Sequence, residues 1–175
     1  MTILLATMVL TKAELISLLQ KEVRLLLHLT TKIDAAALDY RPAPKQRSTL
    51  ELLRYLTTMG PALIRYAKGE PTDAATIAEE TQAANLRNFD ETVAALAAQS
   101  DLYADLLGAM SDDDLRGEIM WVDGSPISRG LFLVNYLFGQ CTAYRLQLFL
   151  YLKASGREEL NTMNLWLGAD VPAPA

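Results

Sequence analysis

The chain has 175 residues, 51% of them hydrophobic and 21% charged, which fits one globular domain over 1–175 and excludes intrinsic disorder. Its net charge is −5 and its 16 Lys and Arg are scattered, so nucleic acid, which needs concentrated positive charge, is not an expected partner. One cysteine, Cys141, excludes an intrachain disulfide and a thiolate metal cluster and suits a reducing cytoplasm.

The opening run Ile3–Leu10 is apolar but too short to span a bilayer, which needs about 20 such residues, and it lacks the flanks of a signal peptide. Residues 1–11 are expected to form an N-terminal extension packed on the body or on a second subunit, with Met8 as an alternative start. From Thr11 to Ile33 the residues Leu15, Leu18, Leu19, Leu26, Leu29 and Ile33 recur at helical spacing and predict an amphipathic first helix. His28, on the polar side beside Arg24, reads as a solvated surface histidine. Glu22 falls inside the apolar stripe, where a charge is costly unless paired; it is a candidate interior acid, with a rim position or a salt bridge to an arginine the favoured alternatives.

Pro42 and Pro44 interrupt the chain, and Ser48 followed by Glu51 has the spacing of a capping box that opens helix 2, running to about Ala67 with a bend expected at Gly60-Pro61. Asp73–Ala84 is alanine-rich with a weak pattern, suited to a short helix. Phe89, Val93, Leu96, Tyr103, Leu107 and Met110 then mark a third long helix. Ser111 with three aspartates favours a helical turn, and Glu118–Ser128 centres on Asp123-Gly124, a hairpin turn pair. Ser128 can cap a fourth helix to about Ser155, stopped by Gly156; being apolar almost all round, it is expected to be the most buried of the four. The tail 157–175, carrying Leu165, Trp166 and Leu167, is expected to pack on the bundle.

Within helix 4, Tyr136, Gln140, Tyr144, Gln147 and Tyr151 form a ladder of polar-tipped side chains that share one narrow sector at about 100° per residue. The ladder suits either a polar seam satisfied by neighbouring helices or a dimer partner, or a small-ligand pocket. With one histidine, a His-based metal site cannot be assembled inside one subunit. No G-x-S-x-G elbow or glycine-rich phosphate loop occurs, and Cys141 has no histidine to activate it.

Arg41-Pro-Ala-Pro-Lys-Gln-Arg-Ser48-Thr-Leu-Glu-Leu-Leu-Arg-Tyr55-Leu in helix 2 and Gln140-Cys-Thr-Ala-Tyr144-Arg145-Leu146-Gln147 in helix 4 resemble the DinB-like superfamily, also called the DinB/YfiT group. The resemblance covers about residues 12–155 and implies an all-α, up-down-down-up four-helix bundle, here with a small hairpin-like excursion before helix 4 and a short C-terminal segment. Members commonly hold a divalent metal with three histidines, one early in helix 2 and two spaced i, i+4 in helix 4, the second opening a His-Arg-Gly-Gln-like motif. Those ligand positions fall on Tyr55, Gln140 and Tyr144, while Arg145 and Gln147 keep the motif's flanking residues and Leu146 replaces its glycine.

Amide oxygen and neutral phenol are poor ligands for zinc, nickel or iron, so no cofactor is expected and the metal site should be empty. The expected function is a metal-free binding or structural module, a homodimer through helix faces, with a ligand pocket at Tyr55, Gln140 and Tyr144 and with Gln147 and Glu22 nearby. The competing expectation is a thiol-dependent transferase or hydrolase of DinB/YfiT type. There Tyr144 or Tyr55 would donate a hydrogen bond in place of metal, aided by Arg145.

Overall fold

The computed structural model describes residues 10–70 and 73–170. The expectation for residues 1–9, and for 171–175 of the tail, lies outside them. Helix α1 spans Lys12–Thr30 and starts at a capping box: the Glu14 amide donates to Thr11 Oγ1 at 3.2 Å and the Thr11 amide to the Glu14 carboxylate at 2.8 Å. Helix α2, Thr49–Lys68, starts the same way, with the Ser48 amide donating to Glu51 at 2.8 Å, and stops at Gly69 in the left-handed region at φ 77°.

The weak alanine-rich stretch is a helix of 13 residues, α3, Ala74–Leu86, mostly exposed and burying only Ala84. Arg65 ties it to α2 through Glu80 at 2.6 Å. Helix α4, Phe89–Gly108, begins at an Asn88–Glu91 capping box, and the short α5, Asp112–Arg116, at Ser111. Strands β1, Glu118–Met120, and β2, Pro126–Ser128, pair antiparallel around Asp123-Gly124, where Gly124 takes φ 82° and the Ser125 amide donates to the Asp123 carboxylate at 2.9 Å. This is the hairpin the turn pair predicts.

The final long stretch is continuous but not uniform. It comprises α6, Arg129–Phe132, a π-helical segment Leu133–Phe138, and α7, Gly139–Ala154. A last short helix, α8, Thr162–Leu167, packs on α1 and α7. Together the described residues form an all-α fold with one small hairpin.

Side-chain contacts fix the helix directions. Gln20 reaches the Ser100 carbonyl while Lys12 reaches that of Gly108, so α1 and α4 run oppositely. Gln99 donates to the Leu56 carbonyl and Tyr103 lies against Gly60, so α2 and α4 run together. Tyr55 meets Tyr144 and Tyr66 meets Phe132, so the last stretch runs against α2. The apolar interior divides into two clusters. One holds Leu29, Leu52, Leu53, Leu96, Leu148 and Leu152, the other Leu19, Ile64, Tyr103, Leu107, Phe132 and Leu137.

Two expectations need correction. The last stretch is not the most buried: Leu131, Val134, Leu146 and Leu150 are exposed by 36–58%. Apolar composition all round does not reveal which side lacks a neighbour. His28 is also not a solvated surface residue, because α8 and the segment behind it cover that part of α1. Its Nε2 lies 3.1 Å from the Asn164 amide nitrogen and 3.8 Å from Asp170, with 15% of the side chain exposed. Burial depresses its pKa, with Lys32 adding to the effect and Asp170 opposing it. Among the described residues no helix is long and apolar enough to cross a membrane.

Pro61 is carried inside α2 without ending it, and the glycine before it has a packing reason. A Cβ on Gly60 would stand 1.9 Å from the Tyr103 hydroxyl oxygen and 2.8 Å from its ring carbon Cζ, and Tyr103 is only 1% exposed. Gly60→Ala should therefore destabilise the fold by about 2 kcal/mol through overpacking, a fall of roughly 4–8 °C in Tm. Thermal unfolding of Gly60→Ala against the Gly60→Ala/Tyr103→Phe pair checks it, since removing the hydroxyl should restore part of the loss.

Candidate functional site

The five-residue ladder meets different partners along its length. Tyr136 joins an aromatic group at the hairpin end, with its ring centroid 4.1 Å from Trp121 and 5.2 Å from Phe132. Gln140 is half-buried, makes no side-chain hydrogen bond among the described residues and lines none of the cavities described below. Tyr144 meets Tyr55 edge-on at 5.3 Å between centroids. Gln147 donates to the Tyr151 hydroxyl at 2.5 Å, and that hydroxyl donates to the Arg47 carbonyl at 3.1 Å. The rungs are spread over roughly 20 Å of helix, so each meets a different partner: Tyr136 the hairpin end, Tyr144 the middle of α2 and Tyr151 the segment before it.

Of the three positions carried over from the family, Tyr55 and Tyr144 therefore converge, and Gln140 is not drawn into their contact. Burial first, then the neighbouring Tyr144 hydroxyl, pushes the Tyr55 phenol up to about 12, with the Arg47 guanidinium pulling the other way. Arg47 lies with Cζ 3.9 Å from the Tyr55 ring centroid.

Tyr55 also lines an open recess of about 370 Å³ with Arg47, Glu51, Arg54, Thr58, Thr81 and Asn85. Helix α2 supplies one wall through residues 51, 54, 55 and 58, with Arg47 from the segment just before its Ser48 cap, and α3 supplies the other. The helical spacing of Glu51, Arg54 and Thr58 is legible in the sequence, whereas the α3 wall is not, because α3 has no amphipathic pattern. Arg54 donates Nε, at 2.8 Å, and Nη2 to the Arg87 carbonyl, and Arg87 Nη1 donates to Thr57 Oγ1 at 2.8 Å. Glu51 is held ionised first by the Ser48 amide and then by Arg41, which lies 3.2 Å away.

Glu22 is indeed interior, and its partner is Arg145. Arg145 Nε donates to Glu22 Oε2 at 2.7 Å and Nη2 to Oε1 at 3.3 Å, while Nη1 donates to the Leu165 carbonyl. Both side chains are buried, Arg145 2% and Glu22 7% exposed as residues, and Trp166 covers the guanidinium at 4.9 Å. Arg145 is thus engaged away from Tyr144 and lends no charge to either tyrosine. Glu22 faces a separate cavity of about 20 Å³ with Gln99, Tyr103 and Cys141, where burial, then the Glu22 charge, pushes the thiol up to about 12. Among the described residues no three His, Cys, Asp or Glu side chains are gathered closely enough to hold a metal ion.

A family model described as the DinB superfamily matches residues 18–135, a span that includes Glu22 and Tyr55 and ends before Gln140 and Tyr144. Among solved structures, a DinB-like protein of Bacillus subtilis, YjoA, is similar in fold at TM-score 0.63 and 17% identity, over 84% of this chain and 95% of that one. No curated protein matches the sequence.

Breaking the buried ion pair from one side should be costly. Glu22→Ala or Arg145→Ala is expected to lose about 3–5 kcal/mol in urea unfolding, whereas Glu22→Leu/Arg145→Met should lose much less, because no lone charge stays buried. The raised Tyr55 pKa gives a pH dependence of known sign. The folded state keeps a proton that the unfolded chain gives up near 10, so stability is full below pH 10 and falls as pH rises toward 12. Tyr55→Phe should flatten that decline in denaturant titrations across pH 9–12; an unchanged slope would refute it.

Proposed function

Because the chain belongs to the DinB superfamily, we propose that it is a member working without the family's divalent metal, as a small-ligand-binding module and a homodimer in a reducing cytoplasm. The observation that carries this reading is the edge-on contact of Tyr55 and Tyr144, 5.3 Å between centroids, at two of the positions where the resemblance puts metal-binding histidines. The donors available there do not suit such a metal. A phenol binds zinc, nickel or iron well only as phenolate, and Tyr55 keeps its proton to about pH 12. Gln140 offers only an amide, and His28, the chain's one histidine, is engaged beside Asn164. The ligand site of this reading is the recess that opens beside Tyr55.

Dimerisation is supported by a different surface. Between Leu131 and Gly156 the chain has no acidic residue although it carries 21 elsewhere, and Leu131, Val134, Leu146 and Leu150 stand exposed there. Leu146 and Leu150 edge a groove of about 420 Å³ with Tyr40, Pro42 and Ala143. A helical stretch without negative charge in a chain of net charge −5 brings no like-charge repulsion of its own when it meets its copy across a two-fold axis.

Metal analysis of the purified protein is expected to return far less than one zinc, nickel or iron per chain, and stoichiometric metal would overturn the first reading. Light scattering should give twice the chain mass, with Leu146→Glu/Leu150→Glu reverting to a monomer of unchanged helix content. A monomeric wild type would remove the second.

A further inference from the structure

The recess beside Tyr55 carries two arginines against one carboxylate, Glu51, which feels the Arg54 charge without closing an ion pair on it. Arg47 and Arg54 line it, and Arg87 stands behind Arg54, whose guanidinium it receives on its own carbonyl. None of the three forms an ion pair with a carboxylate among the described residues. The one carboxylate on the wall, Glu51, is already shared between the Ser48 amide and Arg41.

Donors remain free in the right place. Arg54 uses Nε and Nη2 on the Arg87 carbonyl, which leaves Nη1 without a partner among the described residues. Arg47 makes no hydrogen bond through its guanidinium there; it is positioned by its stack on Tyr55 at 3.9 Å. A guanidinium laid on a ring keeps its five N–H donors in one plane, the geometry that meets carboxylate and phosphate oxygens two at a time. Thr58, Thr81 and Asn85 add neutral hydrogen-bonding groups, and about 370 Å³ bounds the occupant to a small metabolite.

We infer that this recess binds a small organic anion, a carboxylate or a phosphate monoester, through the guanidinium groups of Arg47 and Arg54 with the Tyr55 ring as its wall. The inference rests on the reading of the Tyr55 face as a ligand site and names the chemical class of that ligand. Nucleic acid is disfavoured, because the chain's net charge is −5 and its 16 Lys and Arg are scattered along the sequence.

The test follows arginine Nε–H and backbone amide resonances of the full chain by NMR while titrating succinate and sn-glycerol 3-phosphate, with succinamide and glycerol as neutral counterparts. At least one anion should shift the Arg47 and Arg54 signals with a Kd of about 10 mM or tighter, weakening as ionic strength rises; the tighter of the two tells carboxylate from phosphate. Arg47→Gln should weaken binding about tenfold, while Lys45→Gln, an exposed cation outside the recess, should not. The Arg47 side chain makes no hydrogen bond among the described residues, so that variant should keep its fold, which circular dichroism verifies. Equal shifts from succinamide, or an unchanged Kd in Arg47→Gln, would overturn the anion while leaving the ligand site standing. If none of the four compounds moves the Tyr55 amide or either arginine, both readings fail.

Discussion

The middle of the last helix is organised by one buried ion pair. Taking a carboxylate and a guanidinium out of water costs several kcal/mol each, and their attraction offsets this only when each guanidinium nitrogen finds an acceptor. Arg145 meets that condition by giving two N–H groups to Glu22 and another to the Leu165 carbonyl, under the ring of Trp166. The consequence reaches beyond the pair. A six-residue helix such as α8 cannot persist in water alone, and its carbonyl is tied directly to the α1–α7 junction. Successive helical residues point about 100° apart, so turning Arg145 toward α1 sets Tyr144 toward α2, where it meets Tyr55. The tyrosine contact is therefore a by-product of a charge placed one residue further on.

Local signals carried furthest from sequence to structure. The Ser48–Glu51 box and the Asp123-Gly124 turn satisfy their own backbone groups within a few residues, so no distant part of the chain can override them cheaply. The interior position of Glu22 was equally legible, because a charge inside an apolar stripe demands a partner. What failed depended on neighbours. The partners of the ladder are set by other elements along about 20 Å of helix, and the covering of His28 by α8 involves residues more than 130 positions away. The convergence of Tyr55 and Tyr144 was reachable only through family resemblance, since nothing in their spacing links α2 to α7.

The recess beside Tyr55 is built from unequal parts. Its α2 wall is rooted in the core through Leu52, Leu53 and Leu56, whereas α3 buries only Ala84 and is fastened by the Arg65–Glu80 pair. Segments with few buried apolar contacts open at the lowest free energy, so α3 is the wall expected to yield first. A firm side carrying the arginines and a yielding side carrying Thr81 and Asn85 is an arrangement in which occupancy can stiffen the protein locally.

The π segment has a bearing on descent as well as on geometry. A wide turn of this kind is how a helix absorbs one additional residue without breaking, and the family match stops at residue 135, inside Leu133–Phe138. Where a related helix lacks the wide turn, an alignment without a gap through this stretch drifts by one position, and on a helix that drift exchanges a residue facing α2 for one facing α1. Correspondences beyond Phe138 are therefore better anchored from the other side, counting outward from Arg145, whose pairing with Glu22 leaves no freedom of register.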